Sequence, residues 1–199
     1  MGGSTMIDII SSFLISGLLL LVALRMDDKS VQNTYDSEAN LTVQENLTSL
    51  VETLEYDFRK IGYCRNTTLL RDPSYFIQHG DTSSIWFLTD TANVGDVDTV
   101  KYWLGSSPIA GCANKNARML YRQVNSGSPT ATNLGITQFH INYFNTFGGG
   151  IATPFGAPNQ AQVITVTVTV QPIAAYDTAF ANNFAIWRQT RLVSRNLKR

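Results

Sequence analysis

Hydrophobic and polar positions divide the chain into three regimes. From Met6 to Leu24 apolar residues are nearly continuous, interrupted only by Asp8, Ser11, Ser12, Ser16 and Gly17. That run is close to the ~20 residues a helix needs to span a bilayer. After Asp28 the apolar density falls, yet no Pro or Gly occurs before Gly62. Leu47, Leu50, Val51, Leu54, Phe58 and Ile61 recur in steps of three and four, which places them on one helical face. Glu45, Glu52, Glu55 and Arg59 fall on the other side, and Gly62 is a natural stop. The pattern predicts an unbroken helix from Ser4 to Ile61, roughly 90 Å long at ~1.5 Å per residue. Its first part belongs in an apolar surrounding and its second part half-buried under a globular domain.

From Ser84 the period changes to that of short strands. SSIWFLTD, DTVKYWLG, RMLYRQVN, ITQFHINYFN and AQVITVTVTVQ are rich in β-branched and aromatic residues. Between Val163 and Val170, Val or Ile alternates with Thr, so one face of that strand should be buried and the other wet. Turn signals mark loops at Gly105–Pro108, at Ser126–Pro129 and at Gly148–Gly150. The segment Gly148–Gln160, with its Pro and Gly residues, reads as a long surface loop, and the tail TRLVSRNLKR as a last strand. The fold class is α+β: a long N-terminal helix packed on an antiparallel β-sheet domain. The expected organisation is a short leader at 1–3, an apolar transmembrane helix at 4–25, an amphipathic helix at 26–62 and a sheet domain at 63–199.

Charge refines this picture. The formal net charge is zero, which argues against nucleic acid as a partner bound through bulk charge. Its distribution is uneven. Asp27, Asp28, Asp36, Glu38, Glu45, Glu52, Glu55 and Asp57 face only Lys29 among bases. After Asp177 the charged residues are all basic: Arg188, Arg191, Arg195, Lys198 and Arg199. Two solvated surfaces of opposite sign, or electrostatic contact between subunits or between helix and tail, would account for it.

Asp8 is the anomaly of the apolar run. A carboxylate deep in a membrane costs a few kcal/mol, less near the interface. A cleaved secretory signal would have a basic n-region and a small-x-small cleavage site. Here no Lys or Arg precedes Asp8, and Arg25-Met26-Asp27-Asp28 is a poor peptidase site. A cut after Gly3 would instead make Ser4 the N-terminus and Asp8 the fifth residue. This resembles the class III signal of type IV pilins and type II secretion pseudopilins. In that family a leader ends in Gly, the next residue is N-methylated, and an acid stands fifth at the start of a long apolar helix. Ser4 replaces the family's usual Phe, and Asp8 its usual Glu. LEYDFRKIGYCRN at Leu54–Asn66 resembles the helix end of W-type minor pilins and J-type pseudopilins. TVKYWL, MLYRQV and the final RNL follow in the order those proteins use.

The resemblance implies processing at Gly3 and Ser4 by a prepilin peptidase. It also implies pairing of the Asp8 carboxylate with the Ser4 amine of a neighbour, since a buried charge is tolerable mainly when paired. Other pilin or pseudopilin subunits and the inner membrane would be the partners. The chain would be a single-pass inner-membrane protein before assembly, then part of a periplasmic or cell-surface filament, as a subunit that primes or caps it. Two other readings stay open. One is a tip-located module using Gly148–Gln160 or the Arg-rich tail for adhesion or DNA uptake. The other is a plain membrane-anchored extracytoplasmic domain.

Cys64 and Cys112 would suggest a disulfide in an exported chain and two thiols in the cytosol. A bridge would pin the sheet to the helix end and add about 3–4 kcal/mol. No catalytic constellation stands out, so an enzyme is not expected and no cofactor is implied. His79 and His140 have no partner at zinc-ligand spacing. Asp90, Asp96 and Asp98 border a loop but lack EF-hand spacing, so no metal site is expected.

Overall fold

The computed structural model describes residues 3–112, 114–171, 186–192 and 195–198. One helix, α1 (Gly3–Arg59), precedes eight strands: β1 (Ile77–Gly80), β2 (Ser84–Thr89), β3 (Asp98–Pro108), β4 (Arg118–Val124), β5 (Thr130–Phe144), β6 (Phe155–Gly156), β7 (Val163–Val170) and β8 (Ile186–Leu192). The strands form one sheet in the order β6-β1-β2-β3-β4-β5-β7-β8, and every pairing is antiparallel. The α+β class expected from the sequence is the one observed. The chain divides into two units, Met1–Asn40 and Leu41–Arg199, described separately below.

In the second unit the helical stripe does what its spacing demands. Val43, Leu47, Leu50, Val51, Leu54 and Phe58 are buried in one cluster with Ile85, Phe87, Val100, Tyr102, Ile141 and Val166 of the sheet. The Phe58 ring meets Phe87 and Tyr102 edge-on, at 5.6 and 5.7 Å between centroids. Burial along α1 begins at Val43, and the side chains from Asp27 to Leu41 are exposed or half-exposed.

The helix ends two residues before the expected Ile61, and the sheet supplies its cap. The Leu88 carbonyl accepts the Gly62 N–H at 2.8 Å, and the Thr89 hydroxyl donates to the Lys60 carbonyl at 2.8 Å. The Asn196 amide donates to the Ile61 carbonyl at 3.2 Å, and Leu197 is buried in the core. The last turn closes on itself, with the Asp57 and Phe58 carbonyls accepting the N–H groups of Lys60 and Ile61, and the carbonyls just past it find partners in the sheet and in the RNL segment. Gly62 has φ +71°, and a Cβ there would stand 2.1 Å from the Phe76 ring. Both conformation and space require glycine.

One acid of the helix is not on a solvated face. Asp57 is 6% exposed. Its Oδ2 accepts from the Tyr102 hydroxyl at 2.6 Å and from Arg122 Nε at 2.7 Å, and Arg122 Nε lies 3.1 Å from the Tyr102 oxygen. Burial and the adjacent Asp57 carboxylate push the Tyr102 hydroxyl far above its ordinary pKa, so it stays a proton donor. This corrects the assignment of Asp57 to an acidic surface. The carboxylate is the polar link between α1, β3 and β4.

Several strands differ from expectation. Gly105–Pro108 is not a loop but the end of β3, with a register shift between Leu104 and Pro108. At Gly105 a Cβ would lie 3.0 Å from the Tyr121 ring and 3.2 Å from the Met119 carbonyl, so glycine marks a close approach inside the sheet. β5 is longer than its apolar core suggested. Its first half pairs with β4 and its second half with β7. β1 and β6 carried no strand signal, and β6 lies inside the expected Gly148–Gln160 loop. The tail strand begins at Ile186, earlier than TRLVSRNLKR, and the chain turns into a 3-10 helix at Arg195–Lys198.

The expected Cys64–Cys112 bridge is absent. Cys64 lies at the helix exit with its Sγ 3.5 Å from the Gly95 carbonyl oxygen, just before β3 begins. Cys112 lies past the far end of β3, buried in a separate cluster with Ile109 and Ala117. Eleven residues of β3 intervene, a length of roughly 30 Å or more at ~3.3 Å per residue. A disulfide needs Cα atoms about 4.4–6.8 Å apart. Alkylation of unfolded, unreduced protein should label both cysteines. Protection of both would show that they are bridged.

Asp57→Ala should destabilise the full-length protein by about 3 kcal/mol, the low end for a broken buried pair because Arg122 is one-third exposed. Tyr102→Phe should cost about 1.5–3 kcal/mol, as loss of a hydrogen bond to a charged group. Glu52→Ala, at an exposed position, should stay within about 0.5 kcal/mol of wild type. Urea unfolding in detergent micelles followed by tryptophan fluorescence reads all three.

Candidate functional site

Gly3 and Ser4 lie in the first turn of α1, so the Gly3–Ser4 bond sits where helices fray. The leader residues Met1 and Gly2, and the Ser4 side chain, lie outside the described residues. Asp8 occupies the second turn and is exposed. Around it the large apolar side chains from Met6 to Leu24 are between 51% (Val22) and 83% (Phe13) exposed. Burying each would be worth about 1.5–3 kcal/mol. None of the most apolar 18-residue window is buried. By length and composition this stretch is a candidate membrane anchor.

The polar interruptions are not scattered. Asp8, Ser12 and Ser16 are spaced by four and share one helical face, while Gly17 lies on the side opposite Asp8. Ser12 Oγ donates to the Ile9 carbonyl at 2.9 Å, so this hydroxyl is satisfied within its own helix. A Cβ on Gly17 would meet nothing within 4 Å. Phe13, Leu14, Leu20 and Leu21 flank the shallow depression there. This seam was missed in the sequence because each residue was read as an interruption. Reading positions 8, 12 and 16 at helical period would have found it.

The other candidates resolve into structural roles. Asp90 is fully buried and accepts the backbone N–H groups of Arg65 (3.2 Å), Val94 (3.1 Å) and Gly95 (2.8 Å). Burial pushes its carboxyl up, but the N–H groups of Arg65, Gly95, Val94 and Asn93 outweigh this and hold it below the usual carboxylate value. Asp98 behaves alike. Burial raises it, while bonds from Thr91 and Asn125 and the charge of Lys60 lower it further. These oxygens face N–H and O–H donors, which is the wrong environment for a cation. Asp96 is exposed. Among the described residues no three His, Cys, Asp or Glu side chains converge on a metal position.

His79 packs against Trp86 with ring centres 4.6 Å apart and planes tilted by 39°, and His140 Nε2 lies 3.1 Å from Asn142 Oδ1. Lys101 Nζ stands 5.1 Å from the centre of the Trp86 ring, and Trp103 stacks on Tyr121 at 5.3 Å. The rings of this open sheet face use their own faces against each other and form a cross-strand ladder. Of the Arg-rich tail, Arg188 is exposed, and the side chains of Arg191 and Arg195 lie outside the described residues.

The lowered carboxyls set an acid limit. Groups held below their unfolded value stabilise the fold above that value, and the stabilisation is lost as pH falls through the folded one. Asp90→Asn should lower stability at pH 7, and its deficit against wild type should shrink as pH falls below about 4. Urea midpoints measured from pH 7 downward would show it. A deficit independent of pH would mean that the Asp90 charge plays no part. Comparison of the chain with family models, with curated proteins and with solved structures finds no match.

Proposed function

We propose that this chain is a structural subunit of a bacterial type IV pilus or type II secretion pseudopilus, a minor pilin or pseudopilin that primes or caps the filament. The observation that carries the reading is the wholly exposed apolar stretch of α1 with a carboxylate in its second turn. A lone anchor gains nothing from Asp8. A subunit whose helix packs among other helices gains a register device, because the carboxylate is stable only opposite a positive partner. Cleavage after Gly3 would create such a partner, the Ser4 amine of a neighbouring copy or related subunit.

Asp8, Ser12 and Ser16 put small or polar side chains along one face, which they share with Ile15 and Leu19, so a second helix approaching there meets both a polar track and apolar side chains. In this reading the chain waits in the inner membrane with Leu41–Arg199 on the periplasmic side. A prepilin peptidase removes residues 1–3, and the apolar stretch moves from lipid into the filament core with little change in its surroundings. Extraction is then nearly neutral for the apolar side chains, and the Asp8 pair selects the docked register.

Peptide mass spectrometry of the membrane fraction, with and without a prepilin peptidase, tests processing. The expected product starts at Ser4 and carries one extra methyl group. An intact Met1 in both samples would sink the reading. Asp8→Ala should reduce filament incorporation at least tenfold while leaving membrane insertion unchanged, and Asp8→Glu should retain most of it. Equal incorporation of Asp8→Ala and wild type would point to a plain anchored domain.

A further inference from the structure

The chain leaving α1 makes a turn, Arg65-Asn66-Thr67-Thr68-Leu69, in which each residue is exposed. Its root is fixed: Cys64 before it is buried, and Asp90 Oδ2 accepts the Arg65 N–H at 3.2 Å. The Leu69 N–H closes it by donating to the Asn66 carbonyl at 3.2 Å. Inside the turn Asn66 Oδ1 accepts the Thr68 N–H at 3.2 Å and the Thr68 hydroxyl at 2.7 Å. A backbone N–H can only donate, so the amide oxygen of Asn66 is the inward atom and Nδ2 the outward one. Among the described residues Nδ2 has no hydrogen-bond partner.

Asn66-Thr67-Thr68 is an Asn-x-Thr triplet without proline, the acceptor sequence for transfer of a sugar to an asparagine amide. An Asn at the first position of a turn also has a purely local use, since its Oδ1 satisfies the N–H two residues on. That use accounts for the bond to the Thr68 N–H. It leaves the Thr68 hydroxyl against the amide and the free, outward Nδ2 without a local purpose.

The chain carries two more such triplets, Asn40-Leu41-Thr42 and Asn46-Leu47-Thr48, and the fold separates them from the first. Both lie inside α1. In a helix the N–H two residues after the Asn is committed to the carbonyl four residues before it. Leu47 is moreover buried in the core, so Asn46 and Thr48 cannot enter an enzyme cleft together without drawing it out. A transferase must take in the amide and the hydroxyl of the third residue at once, which requires a triplet clear of regular structure. Asn66-Thr67-Thr68 meets that requirement, and the two helical triplets do not.

We propose that Asn66 is a glycosylation site, whose Nδ2 accepts a glycan from a lipid-linked sugar diphosphate. The bond that forms joins Nδ2 to the anomeric carbon of the sugar, and the bond that breaks joins that carbon to a phosphate oxygen. The diphosphate leaves with the bonding electrons, and the proton lost from Nδ2 passes to a base of the transferase. The Thr68 hydroxyl is the second group that the transferase reads. This site rests on the placement of Leu41–Arg199 outside the membrane proposed above, where an anchored chain meets a lipid-borne donor. It needs neither cleavage at Gly3 nor pairing of Asp8.

The test takes the full chain from membranes of its producing cells and digests it with trypsin, which cuts after Arg65 and Arg71 and releases residues 66–71. Electron-transfer fragmentation of that peptide should place a sugar on Asn66. Asn66→Asp keeps the Oδ1 acceptor of the turn and removes Nδ2, and Thr68→Val keeps the Thr68 N–H and removes the hydroxyl. Both should lose the sugar with an unchanged urea midpoint, whereas Thr68→Ser should keep it and Asn46→Gln should leave it as in wild type. A 66–71 peptide found only at its unmodified mass, a sugar on Thr67 or Thr68, or full modification of Thr68→Val would each overturn the proposal. The N-terminal peptide of the same digest separates the two ideas. A processed Ser4 terminus with a bare Asn66 overturns the glycan alone, and a sugar on Asn66 of a chain that keeps Met1 sustains the glycan where the filament reading fails.

Discussion

The apolar surface of α1 between Met6 and Leu24 is the constraint from which the rest follows. At about 25 cal/mol per Å² it carries a free-energy demand that the chain's own fold leaves unmet. Lipid meets that demand, and so do other apolar helices. In lipid alone, helix–helix contact has no hydrophobic drive and depends on small residues and polar pairs. Asp8, Ser12 and Ser16 are residues of that kind on one face, and Gly17 is one on the other side. The physical meaning of Asp8 therefore depends on a neighbour: unpaired it opposes deep insertion, and paired it fixes how far one helix slides along the next.

The second half of α1 solves the opposite problem. Its apolar stripe from Val43 to Phe58 would hold the helix on the sheet through non-directional burial alone, which tolerates sliding and rotation. Asp57 removes that freedom. A single carboxylate oxygen shared by Tyr102 and Arg122 fixes the helix against two adjacent strands. One turn later the sheet takes the Lys60 carbonyl and the Gly62 N–H just past the helix end. Apolar area supplies the attraction, and the directional bonds choose one arrangement.

The sequence was legible wherever a residue's role follows from a local period. The stripe at Leu47–Phe58, the Val/Thr alternation at Val163–Val170 and the stop near Gly62 all belong to this kind. It was illegible where the role is set by a distant strand. Asp57 looked like one more surface acid because Arg122 is 65 positions away. Gly105 looked like a loop because the Tyr121 ring that crowds it stands on β4. β1 and β6 are too short to carry a period, and they exist through pairing with each other and with β2. The cysteine count suggested a bridge that the run of β3 rules out. Within the candidate site, the length of the apolar stretch and the oddity of Asp8 could be read directly. The alignment of Asp8 with Ser12 and Ser16 emerged only once the helical period was applied across residues that first looked like defects.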